Sequence, residues 1–169
     1  MNANAGKKVF FLRRELLREI KKQKRRGKTI VFTNGCYDII HIGHIRLLKK
    51  AAKLGGFLVV ALNSDSSVRK IKGKGRPLIP WKERAELLAS FYFVDAVAVF
   101  NEPDPYNIIK DIEPDVLVKG GDWKIKDIIG SDIVRARGGK VKSIKYEKGR
   151  STTNIIKKIL RSYGNRKKR

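Results

Sequence analysis

Both histidines of the 169-residue chain stand in one short segment, Asn34-Gly35-Cys36-Tyr37-Asp38-Ile39-Ile40-His41-Ile42-Gly43-His44. They lie three residues apart around Gly43, where an apolar run passes into a helical pattern. A glycine there lets the backbone approach an anion, and a starting helix offers free N–H groups and the positive end of its dipole. Imidazoles add hydrogen bonds to phosphate oxygens. The segment therefore has the chemistry of a phosphate site. Two plainer readings use the same residues: capping or surface histidines, or two ligands of a metal. Cys36 is the single cysteine, so a metal would have to draw on carboxylates, and no metal ligand is assigned.

Three further segments carry matching chemistry. Gly149-Arg150-Ser151-Thr152-Thr153 places hydroxyls, amides and an arginine at a helix start, which is either an anion nest or an ordinary N-cap. Between Arg69 and Pro77, basic residues alternate with glycines, followed by Arg84. Such a stretch folds over phosphates or remains a solvated basic loop, and Lys72 and Arg84 are the preferred positions. In Lys119-Gly120-Gly121-Asp122-Trp123 the glycines leave room for a flat base or sugar, Asp122 can accept a ribose or base hydrogen bond, and Trp123 can cover a ring. Lys119, at the end of an apolar run, needs an anionic partner if buried.

The elements that must position these residues can be read from periodicity. Val9 to Lys24 spaces Phe10, Leu12, Leu16, Leu17 and Ile20 as an amphipathic helix. Strands are expected at Thr29 to Thr33, Phe57 to Leu62, Ala96 to Phe100, Val116 to Lys119 and Lys140 to Ile144. Helices are expected at Gly43 to Leu54, Trp81 to Phe91, Asp104 to Asp111, Ser131 to Arg137 and Thr152 to Tyr163, with Ser64 to Pro80 as one long loop. The strands are nearly continuous apolar runs, as in sheets covered on both faces. The expected fold is α/β: a Rossmann-like, doubly wound, five-stranded parallel sheet with an added N-terminal helix. Residues 1–28 are read as a basic helical extension, 29–163 as the domain and 164–169 as a basic tail. In such sheets ligands sit beyond the carboxyl ends of the strands, where all four segments fall.

Lys and Arg number 40 against 16 Asp and Glu, a formal charge of +24. Much of the excess lies in Arg13 to Lys28 and Arg161 to Arg169, runs that are usually solvated. A module gripping nucleic acid with the first helix and the tail is the non-enzymatic alternative; it would need neither histidine. With 41% hydrophobic residues a sizeable core is expected and whole-chain disorder is excluded. No stretch reaches the ~18 apolar residues of a membrane span and no secretory h-region opens the chain, so the expected compartment is the cytoplasm.

Together, H-I-G-H after N-G-C-Y-D, N-S-D at Asn63 to Asp65, K-G-G-D-W and G-R-S-T-T resemble the cytidylyltransferase-like family of nucleotidyltransferases, over roughly residues 28–160. Within it, T-N-G, V-K-G-G-D-W, I-G-S at Ile129 to Ser131 and S-T-T-N-I-I-K-K-I are most similar to D-glycero-β-D-manno-heptose 1-phosphate adenylyltransferases, the ADP-heptose-forming enzymes of lipopolysaccharide precursor synthesis. The resemblance places the family's histidines at His41 and His44, its aspartate at Asp38, its phosphate-loop lysine at Lys72, its later arginine at Arg84 and its hydroxyls at Ser151, Thr152 and Thr153. One departure is Tyr146, where the cytidylyltransferase branch has an arginine.

The implied reaction is attack of a sugar phosphate on the α-phosphate of ATP, with Mg2+ arriving on the nucleotide. His41, His44 and Lys72 are then the catalytic set. Asn34, Gly35, Cys36, Tyr37, Asp38, Gly43, Arg84, Lys119, Gly120, Asp122, Arg150, Ser151, Thr152 and Thr153 would hold nucleotide, and Asn63, Asp65 and Trp123 the acceptor. The resemblance also implies a homodimer and, since many members are fused to a sugar kinase that this length cannot contain, a separate heptose-phosphate kinase. Glycerol-3-phosphate or ethanolamine-phosphate cytidylyltransferase and FAD-forming adenylyltransferase are the enzymatic alternatives.

Overall fold

The computed structural model of the chain describes residues 8–145 and 151–164. Arg150 and Tyr146, named above, and the tail residues 165–169 lie outside the described residues. Among the described residues six strands form one parallel sheet: β1 (Val9–Phe10), β2 (Ile30–Gly35), β3 (Phe57–Asn63), β4 (Ala96–Phe100), β5 (Val116–Gly120) and β6 (Lys140–Ile144). Their order is β1-β4-β3-β2-β5-β6. From β2 the chain winds one way through β3 and β4, then crosses back to lay β5 against the other side of β2. The direction reverses between β2 and β5, and the crevice above that point is where such sheets bind ligands.

Helices α1 (Arg13–Arg25), α2 (Ile42–Ala52), α3 (Asp65–Lys72), α4 (Trp81–Ser90), α5 (Tyr106–Ile112), α6 (Ser131–Ala136) and α7 (Thr152–Tyr163) make the crossovers and ends. The two-sided burial expected of continuous apolar strands is what the sheet shows. On one face Ile30, Phe32, Val59 and Ala98 pack with Leu16 and Ile20 of α1 and Ile108, Ile109 and Ile112 of α5. On the other, Val31, Leu58, Val60 and Val118 pack with Leu47, Leu48 and Ala51 of α2 and Ala85 and Leu88 of α4. Helix α1, read as an extension, is thus a layer of the same core.

Two expectations need correction. The sheet has six strands rather than five, because Val9 and Phe10 are not helical: they pair in parallel with Val97 and Ala98, and Phe10 enters the core from a strand. Ser64 to Pro80 is not one loop, because its first half is α3. Ser64 caps that helix by accepting the Ser67 N–H at 3.2 Å, Val68 is fully buried, and Gly73 at φ +93° ends it. Lys72 is therefore the last residue of a helix.

Candidate active site

Strand β2 delivers the first segment to the crevice. Its last residue, Gly35, sits close against Tyr37: a Cβ there would meet the Tyr37 ring at 3.0 Å, a contact that only a shift of the ring would relieve. Tyr37 turns the chain with a left-handed φ of +46°, and its buried ring stands edge-on to His44 at 5.2 Å between centroids. Asp38 is buried and accepts three hydrogen bonds, from the Leu78 N–H at 2.7 Å, the Ile79 N–H at 2.9 Å and Arg76 Nε. It holds the strand–helix loop to the segment that follows α3.

The histidines form a reciprocal cap on α2. His41 Nδ1 accepts the Gly43 N–H at 3.1 Å, and His44 Nδ1 accepts the His41 N–H at 3.4 Å. Gly43 is thus a buried backbone donor to a histidine, not a lining residue. The rings stack at 3.9 Å between centroids. A nitrogen that accepts carries no proton, so each neutral ring keeps its hydrogen on Nε2 as a donor. Burial, and then the neighbouring His41, push the His44 pKa down to about 4, so His44 is neutral at physiological pH.

These rings open on a cavity of about 570 Å³ above the switch point. Asn34, Gly35, Cys36, Tyr37, Asp38, His41, His44, Asn63, Lys72, Lys119, Gly120, Trp123, Ser151, Thr152 and Thr153 all line it, so four segments far apart in sequence meet here. Lys119 Nζ, half-buried at the end of β5, donates to Asn34 Oδ1 at 3.2 Å across the reversal point. Burial, offset by an attraction to Cys36 and reinforced by Lys72, lowers its pKa. Burial pushes the Cys36 thiol up, against the pull of Lys72, Arg84, Lys119 and Arg76. Asn63 donates to Ser67 Oγ at 2.9 Å at the end of β3. At the other end of the chain, Ser151 caps α7 by accepting the Asn154 N–H, and Thr152 Oγ1 donates to the Ile39 carbonyl at 3.3 Å, which ties the start of α7 to the histidine loop. Two helix N-termini therefore flank one cationic hollow, an arrangement made for a polyphosphate.

Besides Gly43, three assigned residues stand elsewhere. Arg84 is fully buried under the site and donates from Nε to the Ile79 carbonyl at 2.8 Å, from Nη1 to the Cys36 carbonyl and from Nη2 to Asp65 at 2.7 Å. It ties two loops and the start of α3 together, and Asp65 is its counter-ion. Asp122 is exposed and off the cavity wall. Sequence reasoning passed over Arg76 and the Pro103-Asp104-Pro105 turn, both on the wall. Arg76 stood in the basic loop as one cation among five; the paired prolines after β4 were the available sign of a rigid turn at a strand's carboxyl end.

The family model described as cytidylyltransferase-like matches residues 32–158. The chain belongs to that family. Among the family's curated proteins, the bifunctional protein HldE of Syntrophotalea carbinolica is 50% identical over 151 residues, 89% of this chain and 31% of the relative. That of Wolinella succinogenes is 50% identical over 149 residues, 88% of this chain and 31% of the relative. The chain thus spans about a third of the length of these relatives. Among solved structures, a lipopolysaccharide core biosynthesis protein from Thermoplasma volcanium superposes with a TM-score of 0.59 at 30% identity, over 72% of this chain and 98% of that one. A pantoate-beta-alanine ligase from Francisella tularensis, with a TM-score of 0.61 at 14% identity over 86% of this chain and 69% of that one, shares the fold. This member of the cytidylyltransferase-like family keeps the nucleotidyltransferase form of the Rossmann-like sheet.

Proposed function

We propose that the chain transfers AMP from ATP to D-glycero-β-D-manno-heptose 1-phosphate, forming ADP-heptose and pyrophosphate. The observation that carries the reading is the pair of histidines at the start of α2, each with Nδ1 accepting a backbone N–H, which line one hollow with the α7 N-terminus, Lys72 and Lys119. The acceptor is the one the family resemblance implies, and the likeness to the HldE relatives and to the lipopolysaccharide core biosynthesis protein supports it. The second activity of the bifunctional relatives would lie in the part of their length that this chain does not match.

An oxygen of the sugar phosphate is already a nucleophile near neutral pH. It attacks the α-phosphorus of ATP, the new P–O bond forms as the bond to the β-phosphate oxygen breaks, and pyrophosphate leaves. No general base is needed, so positioning and charge stabilisation carry the catalysis. His41 and His44 donate Nε2–H to oxygens that gain charge, Lys72 and Lys119 offset the phosphates, and Ser151 to Thr153 receive the far end of the triphosphate. Mg2+ fits as a companion of the nucleotide: among the described residues no group of three metal-ligating side chains exists, and Asp38 is engaged with Arg76 and two amides. Asp104 is the other lining carboxylate available to it. When bound, Mg2+ would supply charge neutralisation on the phosphate oxygens.

The test is pyrophosphate release with Mg2+ and ATP or CTP, each against heptose 1-phosphate, glycerol 3-phosphate, phosphoethanolamine and FMN. Turnover confined to ATP with heptose 1-phosphate is expected. CTP with glycerol 3-phosphate or phosphoethanolamine would move the assignment to the cytidylyltransferase branch.

A further inference from the structure

Arg76 is a cavity residue held in a particular way. Its side chain is 19% exposed, and its Nε donates to Oδ2 of Asp38, which is 1% exposed. The other oxygen of Asp38 is occupied by the Leu78 and Ile79 amides at 2.7 and 2.9 Å. The carboxylate therefore grips the guanidinium at Nε alone instead of across the Nε and Nη fork. No acceptor among the described residues takes either Nη, and the side chain lines the hollow with Lys72. A guanidinium keeps its charge at any working pH, and two unengaged Nη groups present a planar pair of donors suited to two oxygens of one phosphate. A turn closed by the Arg76 N–H on the Gly73 carbonyl at 3.1 Å carries it back beside the end of α3.

Its place in the fold decides which phosphate. Lys119 and Gly120, both assigned to the nucleotide, lie on the β5 side of the switch point. Arg76 follows α3, which leaves β3 on the opposite side of β2. Arg84 is no competitor for the task, since all three of its nitrogens are engaged beneath the site. We propose that Arg76, oriented by Asp38, binds the phosphate of the acceptor, while the nucleotide occupies the β5 side. This rests on the nucleotidyltransferase reading.

The test titrates protein saturated with Mg2+ and the non-transferable analogue α,β-methylene-ATP. The probes are heptose 1-phosphate and inorganic phosphate, compared for wild type, Arg76→Gln and Arg76→Lys. Removing a charge-assisted pair of donors should weaken both probes by roughly 10- to 100-fold in Arg76→Gln, with part of the loss restored by Arg76→Lys. Affinity for the analogue alone should stay within about twofold, and in turnover the acceptor KM should rise more than kcat falls. Equal loss of analogue affinity, or unchanged affinity for both probes, overturns the proposal. Absence of wild-type turnover with every acceptor would overturn the nucleotidyltransferase reading, while the inorganic phosphate arm would still report on Arg76. Matching thermal melts for wild type and Arg76→Lys keep a folding defect from imitating the result.

Discussion

The His41 N–H donates to Nδ1 of His44 at 3.4 Å while the two rings stack 3.9 Å apart, so the backbone of one histidine fixes the tautomer of the other. With Nδ1 occupied, the His44 proton sits on Nε2. His44→Ala removes that donor and is expected to cost about 2–4 kcal/mol of transition-state stabilisation, read as a roughly 30- to 1,000-fold slower single-turnover rate. An unchanged rate would refute the assignment.

The same ring sets a pH dependence of stability. His44 falls from its ordinary value of 6.5 to about 4, chiefly through burial and then through His41. Between those values the unfolded chain binds the proton more readily than the folded one, so stability rises with pH across the window. The contribution is whole above about pH 6.5 and is lost as the pH falls towards 4. Urea unfolding at about pH 7 and about pH 5 should show wild type losing of the order of 2 kcal/mol more than His44→Gln. Equal losses in the two proteins would mean that the folded ring titrates normally.

Lys119 sets function against stability. Its ammonium is half-buried, its hydrogen-bond partner among the described residues is neutral Asn34, and burial lowers its pKa. Lys119→Met removes a charge that has no counter-ion among the described residues. The variant is expected to be about 1 kcal/mol more stable than wild type without ligand, and to bind nucleotide at least about tenfold more weakly. Paired thermal melts with and without nucleotide measure both. A less stable ligand-free variant would show that the bond to Asn34 serves as a strut between β2 and β5.

What the sequence made legible follows from the range of the forces involved. Strands β2 to β5 announce themselves because each is a largely apolar run, β6 by Val141 and Ile144 among polar residues, and the histidine segment because rare residues fall at a strand–helix passage. Strand β1 has two residues and exists only because Val97 and Ala98 lie beside it, a contact across more than eighty positions. Helix α3 was hidden by averaging: glycines and prolines after Gly73 gave the whole window a loop composition, although Ser64 marked the helix start. The basic segment showed cations but not their partners. Whether Arg76 or Arg84 faces the cavity depends on Asp38, Cys36 and Asp65, which become neighbours only in the folded chain.

Arg84 turns that last point into a measurement. As a phosphate ligand, the role the family resemblance implies, it could be replaced with loss of binding and little loss of stability. The geometry gives the opposite expectation. Arg84 is 0% exposed in an ion pair with Asp65, whose side chain is 25% exposed, and it also holds the Cys36 and Ile79 carbonyls. Arg84→Met leaves two carbonyls and a partly buried carboxylate without their donor. A loss of about 3 kcal/mol is expected, at the lower end for a broken buried pair because water still reaches Asp65. Urea denaturation measures it, and the double variant Arg84→Met with Asp65→Asn should recover part of the loss, since the stranded charge is gone. Full stability in Arg84→Met, together with weakened ATP binding, would return the residue to the phosphates.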